Sequence, residues 1–298
     1  MTDLVIRKID FDIPDDVPFQ WQPQNPGFGI FGNLFTFIAV PFERYIVSAV
    51  RRAQDRITDP AVAEEAEGFL RQEALHANAH RRHMKALIAQ YPALEEVYAK
   101  TCAAYDELLA TKSLDVNLAY IANLEATFTP LFRVVLDNRQ DLLGGAHPAV
   151  AGMMAWHFVE EIEHRASGLV VCNHVVGSPW FRLKHFRETF DHVGLLSARI
   201  AKAFDDHVPL ADSRVSATAT MGNVATLTGP RLPWQRRRRD GHAAVLAAVP
   251  TWEIARMMLR LGLSQLPFHD PKHQPLPAYA GQWQFAYAQG ADLSVAAL

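Results

Sequence analysis

Apolar residues recur at helical spacing along most of the chain, and prolines, glycines and polar stretches divide this pattern into segments. The clearest segment surrounds residues 153–167, where apolar positions three, four and seven apart share one face. We predict a helix there at about 149–176. No segment before Ala211 shows the strict alternation of a half-buried strand.

Further long helices are predicted on both sides of this segment. The first spans about 31–57, and Pro41 within it is expected to cause a kink or to start a new first turn. The next begins at Asp59 and Pro60, a typical capping residue followed by a first-turn proline. The other helices are predicted at about 60–90, 93–111, 113–138 and 180–206.

Long helices with short breaks indicate an all-α bundle. Residues 1–27, rich in Pro, Asp and Gln, are predicted to form an extended arm, and residues 28–210 the bundle. Residues 211–298 contain a run of four arginines at 236–239, predicted as a solvated loop, a helix at about 243–261 and a proline-rich, loop-like end. Because this segment is too poor in apolar residues for its own core, we predict an appendage packed on the bundle.

Composition narrows the class of protein. The chain has 298 residues, of which 49% are hydrophobic, and a net charge of -3, so nothing indicates a nucleic-acid-binding protein. Cys102 and Cys172 lie in apolar helical segments and are predicted to be reduced. The start lacks the apolar core of a signal peptide, and the apolar run at 28–42 is interrupted and short for a bilayer. We expect a cytoplasmic protein without a membrane span.

Acidic and histidine residues on four predicted helices define a candidate metal site. Two helices each carry a single acid among apolar residues, and two each carry the motif Glu-x-x-His. A chain of this composition should contain on the order of one Glu-x-x-His match by chance, so a single match is weak evidence. The stronger evidence is the ordered set of four elements. That set is the ligand pattern of ferritin-like di-iron and di-manganese bundles. The predicted ligands are Glu43, Glu73, His76, Glu125, Glu161 and His164.

Two further histidines lie on the same helix faces as these ligands. His157 is four residues before Glu161, and His80 is four residues after His76. Each is either an additional ligand or a histidine that bonds a neighbour and orients a ligand. We include His157 as the seventh predicted ligand. Four flanking residues are predicted to serve helix packing or to bond the ligands from behind: Gln72, Glu160, Glu163 and Arg165.

Four sequence blocks carry a resemblance to a known family: VPFER at 40–44, FLRQEALH at 69–76 with His80, EAT at 125–127 and WHFVEEIEH at 156–164. They resemble a bacterial family labelled predicted metal-dependent hydrolase, over roughly residues 15–210. The resemblance implies a metal-binding helical protein and offers hydrolysis as its activity.

The spacing of His157, Glu161 and His164 is also similar, more distantly, to that in the di-iron arylamine N-oxygenases. In that family a third histidine joins four carboxylates and two histidines. The likeness implies that His157 is a ligand, and because it is confined to the ligand blocks it implies no substrate.

The donor set favours a di-iron oxidoreductase that activates dioxygen on a small, largely apolar substrate. Carboxylate-rich sites suit two iron ions, with manganese as the alternative and zinc less suited. Four aromatic residues are candidates for the lining of an apolar substrate site, although the bundle core is the commoner role of any single one: Phe42, Phe128, Trp156 and Phe158. The expected partners are the substrate, dioxygen, an electron donor and a second copy of the chain in a homodimer.

Two other functions remain open. In a metal-dependent hydrolase, two metal ions generate hydroxide and clamp an ester or phosphate, although the sequence offers no obvious free base or phosphate cradle. The third function is non-catalytic metal binding, against which the long C-terminal segment argues because it suits a substrate pocket or a dimer surface.

Overall fold

Every regular element is a helix in the part of the chain that the computed structural model describes, residues 4–221 and 244–295. The all-α prediction is therefore confirmed. In chain order the α-helices are α1 (Pro26–Ala53), α2 (Pro60–Gln90), α3 (Leu94–Thr111), α4 (Leu114–Asp137), α5 (Arg139–Leu143), α6 (Pro148–Glu163), α7 (Ser167–Val176), α8 (Pro179–Lys184), α9 (Phe186–His207), α10 (Leu210–Ser213), α11 (Ala217–Met221), α12 (Thr251–Ser264) and α13 (Ala278–Ala288).

Side-chain caps fix where three of the long helices begin. Asn25, Asp59 and Ser113 each accept a hydrogen bond from a backbone N–H in the first turn of α1, α2 and α4. Proline follows directly in α1 and α2, where its missing N–H costs nothing. Pro41 lies inside α1, which continues past it to Ala53.

The helices that carry the predicted ligands pack against one another. Helix α1 packs along α2, and α4 packs against α6 and α7. Helix α3 contacts α1 and α9 and closes one side of the bundle. The motif-bearing faces of α1, α2, α4 and α6 consequently meet in the interior.

The structure corrects three helix predictions. The helix predicted at 149–176 is divided into α6 and α7, because the chain turns at His164, whose carbonyl accepts a hydrogen bond from the Ser167 N–H at 2.7 Å. The helix predicted at 180–206 is divided at His185 into α8 and α9. Neither turn contains proline or glycine, so apolar spacing alone does not reveal it. The third correction is α13, which lies in the segment predicted as loop.

The N-terminal arm is an integral part of the core. Residues 4–25 form no helix, yet Phe11, Phe19 and Trp21 are fully buried in them. Helix α1 begins at Pro26, five residues before the predicted start. Removal of this arm would therefore expose bundle core.

The C-terminal residues 244–295 pack on the same bundle. Helix α12 lies against α4, and Trp283 of α13 is buried in the core cluster that contains α6 residues. The helix predicted from 243 begins only at Thr251, after a turn. The arginine run at 236–239 lies outside the described residues.

One helical stretch among the described residues, Pro26–Arg56, is long and apolar enough to cross a membrane by length and composition. Of its most apolar window, 72% is buried inside the protein. The core helix of a bundle meets the same criteria.

Candidate metal centre

The predicted ligands converge on one buried site. Helices α1, α2, α4 and α6 supply them, with His164 at the residue that ends α6. None is more than 2% exposed, so any charge on them has to be balanced within the protein. The structure brings together all seven: Glu43, Glu73, His76, Glu125, His157, Glu161 and His164.

One half of the site is formed by Glu73, Glu125, Glu161 and His164. One donor atom from each lies within 4.8 Å of the others. His164 Nε2 is 3.1 Å from Glu73 Oε1 and from Glu161 Oε2, and 3.7 Å from Glu125 Oε2. Three carboxylates and an imidazole aimed at one point are a donor set for a divalent cation.

The other half is formed around Glu43 and His76. Glu43, Glu73 and His76 make one compact donor group, and His76, His157 and Glu161 make another. His157 Nε2 lies 2.7 Å from Glu161 Oε1 and 3.6 Å from Glu43 Oε1. Glu73 and Glu161 therefore belong to donor groups in both halves, which is the position required of carboxylates that bridge two metal ions.

His80 lies behind His157. Its Nε2 is 2.6 Å from His157 Nδ1, and its Nδ1 is 2.9 Å from the Thr36 hydroxyl. Glu43, His80 and His157 also form a compact donor group, but both ring nitrogens of His80 already have hydrogen-bond partners. This arrangement favours an orienting role for His80, with His157 Nε2 directed at the carboxylates.

Two matching hydrogen-bond chains hold the other histidines. His76 Nε2 lies 3.0 Å from Glu160 Oε2, so its Nδ1 is left for the site. His164 Nδ1 lies 2.9 Å from Gln72 Oε1, and the Gln72 amide donates to Glu163 at 2.7 Å. Both chains fix the orientation of a ligand ring, as carboxylate–histidine pairs do at metal centres.

Arg7 of the N-terminal arm joins the two hydrogen-bond chains behind His76 and His164. Its guanidinium donates to Glu160 at 3.0 Å and to Glu163 at 2.8 and 2.9 Å. It also lies over the rings of Trp283 and Tyr287 in α13. The sequence gives no local signal for this role, because Arg7 belongs to a non-helical arm and lies 153 and 156 residues from Glu160 and Glu163.

Unpaired polar atoms in the site fit bound metal. Within the described residues, no hydrogen-bond partner is found for Glu43 Oε2, Glu73 Oε2, Glu125 Oε1 or His76 Nδ1. Buried polar atoms are rarely left in this state, since each costs about 1–3 kcal/mol. All belong to predicted ligands, so coordination would satisfy them.

The electrostatics of the site without metal also fit displacement of protons by cations. Burial, reinforced by neighbouring carboxylates, raises the pKa of Glu43 and of Glu125 well above the usual range, and burial with Glu161 raises that of Glu73. Burial acts in the same direction on Glu161, but His164 and His157 outweigh it and lower the pKa. Burial and His76 lower the pKa of His157 to about 4, so this imidazole is neutral and ready to coordinate.

Metal uptake should therefore release protons. In the folded, metal-free protein, Glu43 and Glu125 keep their protons at pH values where the unfolded chain, with a carboxyl pKa of about 4.5, has lost them. These bound protons stabilise the folded state, and this stabilisation is lost as the pH rises through the raised pKa values. Metal ions replace these protons, and metal affinity should increase with pH above 4.5. Calorimetric metal titrations in buffers of different ionisation enthalpy measure the release, and Glu43→Gln should release fewer protons than the native protein. A pH-independent affinity would contradict this picture.

Gly168 at the start of α7 leaves room for Glu125. A Cβ at this position would lie 2.9 Å from Glu125 Cγ and 3.3 Å from its Cβ, atoms close to the backbone that cannot simply swing away. We expect Gly168→Ala to displace Glu125 and to weaken metal binding about 10-fold or more. Metal competition with a chelator tests this, with Gly194→Ala as the matched control because nothing lies within 4 Å of its added Cβ. Equal metal affinity of the two variants would refute the role of Gly168.

An apolar cavity of about 180 Å³, here called the inner cavity, adjoins the site. Its wall includes Glu43, Glu73, His157 and Glu161 beside apolar side chains. Of the aromatic residues predicted to line a substrate site, Phe42 and Phe128 do so. Trp156 and Phe158 are instead buried in the core against His76 and Phe132, respectively, which is the other role that the sequence allows them.

The fold and site define a class: an all-helical protein whose buried glutamates and histidines could hold metal ions. The chain belongs to the family described as predicted metal-dependent hydrolase, whose model matches residues 5–231. This match confirms the family resemblance seen in the sequence blocks. No curated protein and no solved structure gives a significant match, and the likeness to the arylamine N-oxygenases has no support from these comparisons.

Proposed function

We propose that this protein is an enzyme that works with two metal ions held between Glu73 and Glu161. The observation that carries the proposal is that these two glutamates each contribute to donor groups in both halves of the site. Glu125 and His164 complete one half, while Glu43, His76 and His157 complete the other. The residues present thus fit a dinuclear centre with seven protein ligands.

Hydrolysis is the first candidate reaction, because it is the activity named in the family description. Two metal ions in this site would supply Lewis-acid activation of a water molecule and of a scissile carbonyl. The chain itself orients the ligand rings through Glu160 and Gln72, and the inner cavity places an apolar wall beside the site. No Lys or Arg among the described residues lines this cavity, which favours an uncharged ester or amide over a phosphate.

Dioxygen-dependent oxidation, the leading prediction from the sequence, is the second candidate. The donor set favours it, since four carboxylates and three imidazoles suit iron or manganese and bound iron would supply redox chemistry. The apolar cavity beside the site suits oxidation of a largely apolar substrate. This reaction would also require an electron donor.

Metal analysis of protein purified under low oxygen, followed by paired activity assays, tests the proposal. We expect about two metal ions per chain. Hydrolysis of a short uncharged ester without oxygen consumption supports the first candidate, and substrate-dependent oxygen consumption supports the second. Binding of metal without either activity would leave the third prediction, non-catalytic metal binding. A protein that binds no metal overturns the proposal. Glu161→Gln is the control, because activity that depends on this site should be lost in the variant.

A further inference from the structure

A second and larger cavity lies next to the inner one. This outer cavity, of about 500 Å³, is bounded by parts of α4, α9 and α12. Phe31 and Met221 line both cavities, so the two cavities adjoin at these side chains, here called the neck. The outer cavity reaches the surface, because Phe186 and Met258 in its wall are 36% and 39% exposed.

The lining that the described residues give both cavities is apolar and contains no Lys or Arg. Among the described residues, the polar members are Thr127 and Gln265 in the outer cavity and Ser197 in the inner cavity, apart from the metal-site residues. Four carboxylates would balance the charge of two divalent cations, so the loaded centre would carry no net positive charge. Among the described residues of this route, an anionic headgroup would therefore find no cationic side chain.

The two volumes set the shape of a ligand. The inner cavity of about 180 Å³ is close to the ~150 Å³ apolar cavity that accommodates benzene, so it accepts a ring or a short chain. The outer cavity lies within the usual range of about 300–1,000 Å³ for small-molecule sites. A compact substrate would leave the outer cavity and its exposed apolar mouth unused.

We propose that the substrate is an uncharged, elongated amphiphile whose polar end reacts beside Glu43 and Glu73 and whose apolar tail passes between Phe31 and Met221 into the outer cavity. This inference rests on the proposed function, because it takes the inner cavity as the place of reaction. It adds the class of substrate: a straight-chain ester or amide if the enzyme hydrolyses, or a straight-chain hydrocarbon derivative if it oxidises. Burial of the tail provides the binding energy, and the metal-site residues position the reacting end.

Binding of a homologous series of primary alcohols to the metal-loaded protein under nitrogen tests the inference. The alcohols, from butan-1-ol to dodecan-1-ol, are uncharged and do not hydrolyse, so binding is separated from reaction. We expect affinity to increase about two- to fourfold per methylene until the outer cavity is filled. An affinity that stops increasing at the length held by the inner cavity overturns the proposal.

A blocking variant locates the tail. Leu131 lies on α4 in the outer cavity wall, and Leu131→Trp should leave the short alcohols unaffected while weakening dodecan-1-ol at least about 10-fold. Leu259→Trp is the matched control, because Leu259 is 64% exposed on α12 and is not in the lining. If Leu131→Trp does not fold, Met258→Trp at the mouth replaces it. Unchanged binding of the long alcohols to the blocking variant means that they bind elsewhere.

The two proposals can fail separately. If binding depends on chain length but the protein neither hydrolyses an ester nor consumes oxygen, the amphiphile site is retained and the enzymatic function is overturned. Turnover of short substrates without chain-length-dependent binding retains the enzyme and overturns the elongated substrate.

Discussion

Glu161→Gln is expected to lose at least one of the two metal ions and with it the activity. The substitution preserves the size of the side chain but removes the charge of a carboxylate that contributes to both halves of the site. Changes to groups that only support ligands typically cost 10–100-fold in metal affinity, so loss of a bridging ligand should weaken metal retention by more than about 100-fold. Glu73→Gln should behave in the same way, because Glu73 has the corresponding position on α2.

Metal content after gel filtration and a chelator competition titration measure the effect. Glu64→Gln is the matched control, since Glu64 is an exposed acid in the first turns of α2. Far-ultraviolet circular dichroism establishes that each variant keeps its helices. Full metal content in both Glu73→Gln and Glu161→Gln would end the assignment of this site.

Arg7→Ala is expected to be the most destabilising substitution of a charged residue outside the predicted ligands. Arg7 is 3% exposed and Glu160 is fully buried, so the variant leaves a carboxylate in the interior without its cation. Breaking a buried ion pair in this way typically costs about 3–5 kcal/mol. Because Glu160 also bonds the His76 ring, metal affinity should fall together with the free energy of unfolding.

Urea unfolding of the metal-loaded and metal-free forms provides the measurement. Arg71→Ala is the control, because its ion pair with Glu67 is solvent-exposed and such pairs contribute about 0–1 kcal/mol. The double variant Arg7→Ala, Glu160→Gln should recover part of the lost stability, since it removes the unpaired charge. An Arg7→Ala midpoint equal to that of the control would show that the pair contributes nothing.

Helical periodicity and capping residues were sufficient to predict α1 to α4 within a few residues, apart from the early start of α1. The proximity of the seven predicted ligands followed from motifs that repeat on helical faces, and the structure brings them together. The turn after His164 was not predictable, because it depends on bonds from its ring and backbone rather than on a helix-breaking residue.

Residues that act over long sequence distances were missed for a common physical reason. Arg7, Thr36 and Gly168 carry no motif, and each matters only through a contact with another helix. The neck between the cavities likewise joins Phe31 of α1 to Met221 of α11, which are far apart in sequence. A pattern read along one helix records its own buried face but not which neighbour fills it.

The position of Arg7 also has a consequence for how the centre matures. The pair α1–α2, with Glu43 and Glu73, forms from contacts between adjacent helices, whereas Arg7 meets Trp283 across nearly the whole described chain. Contacts between distant residues form slowly, because closing a long loop costs entropy before it brings any stabilisation. We therefore expect the nascent bundle to pass through a state in which the glutamates have met but the arm is still undocked. In that state the His76 and His164 rings would still lack their final support, because Arg7 has not yet docked on Glu160 and Glu163.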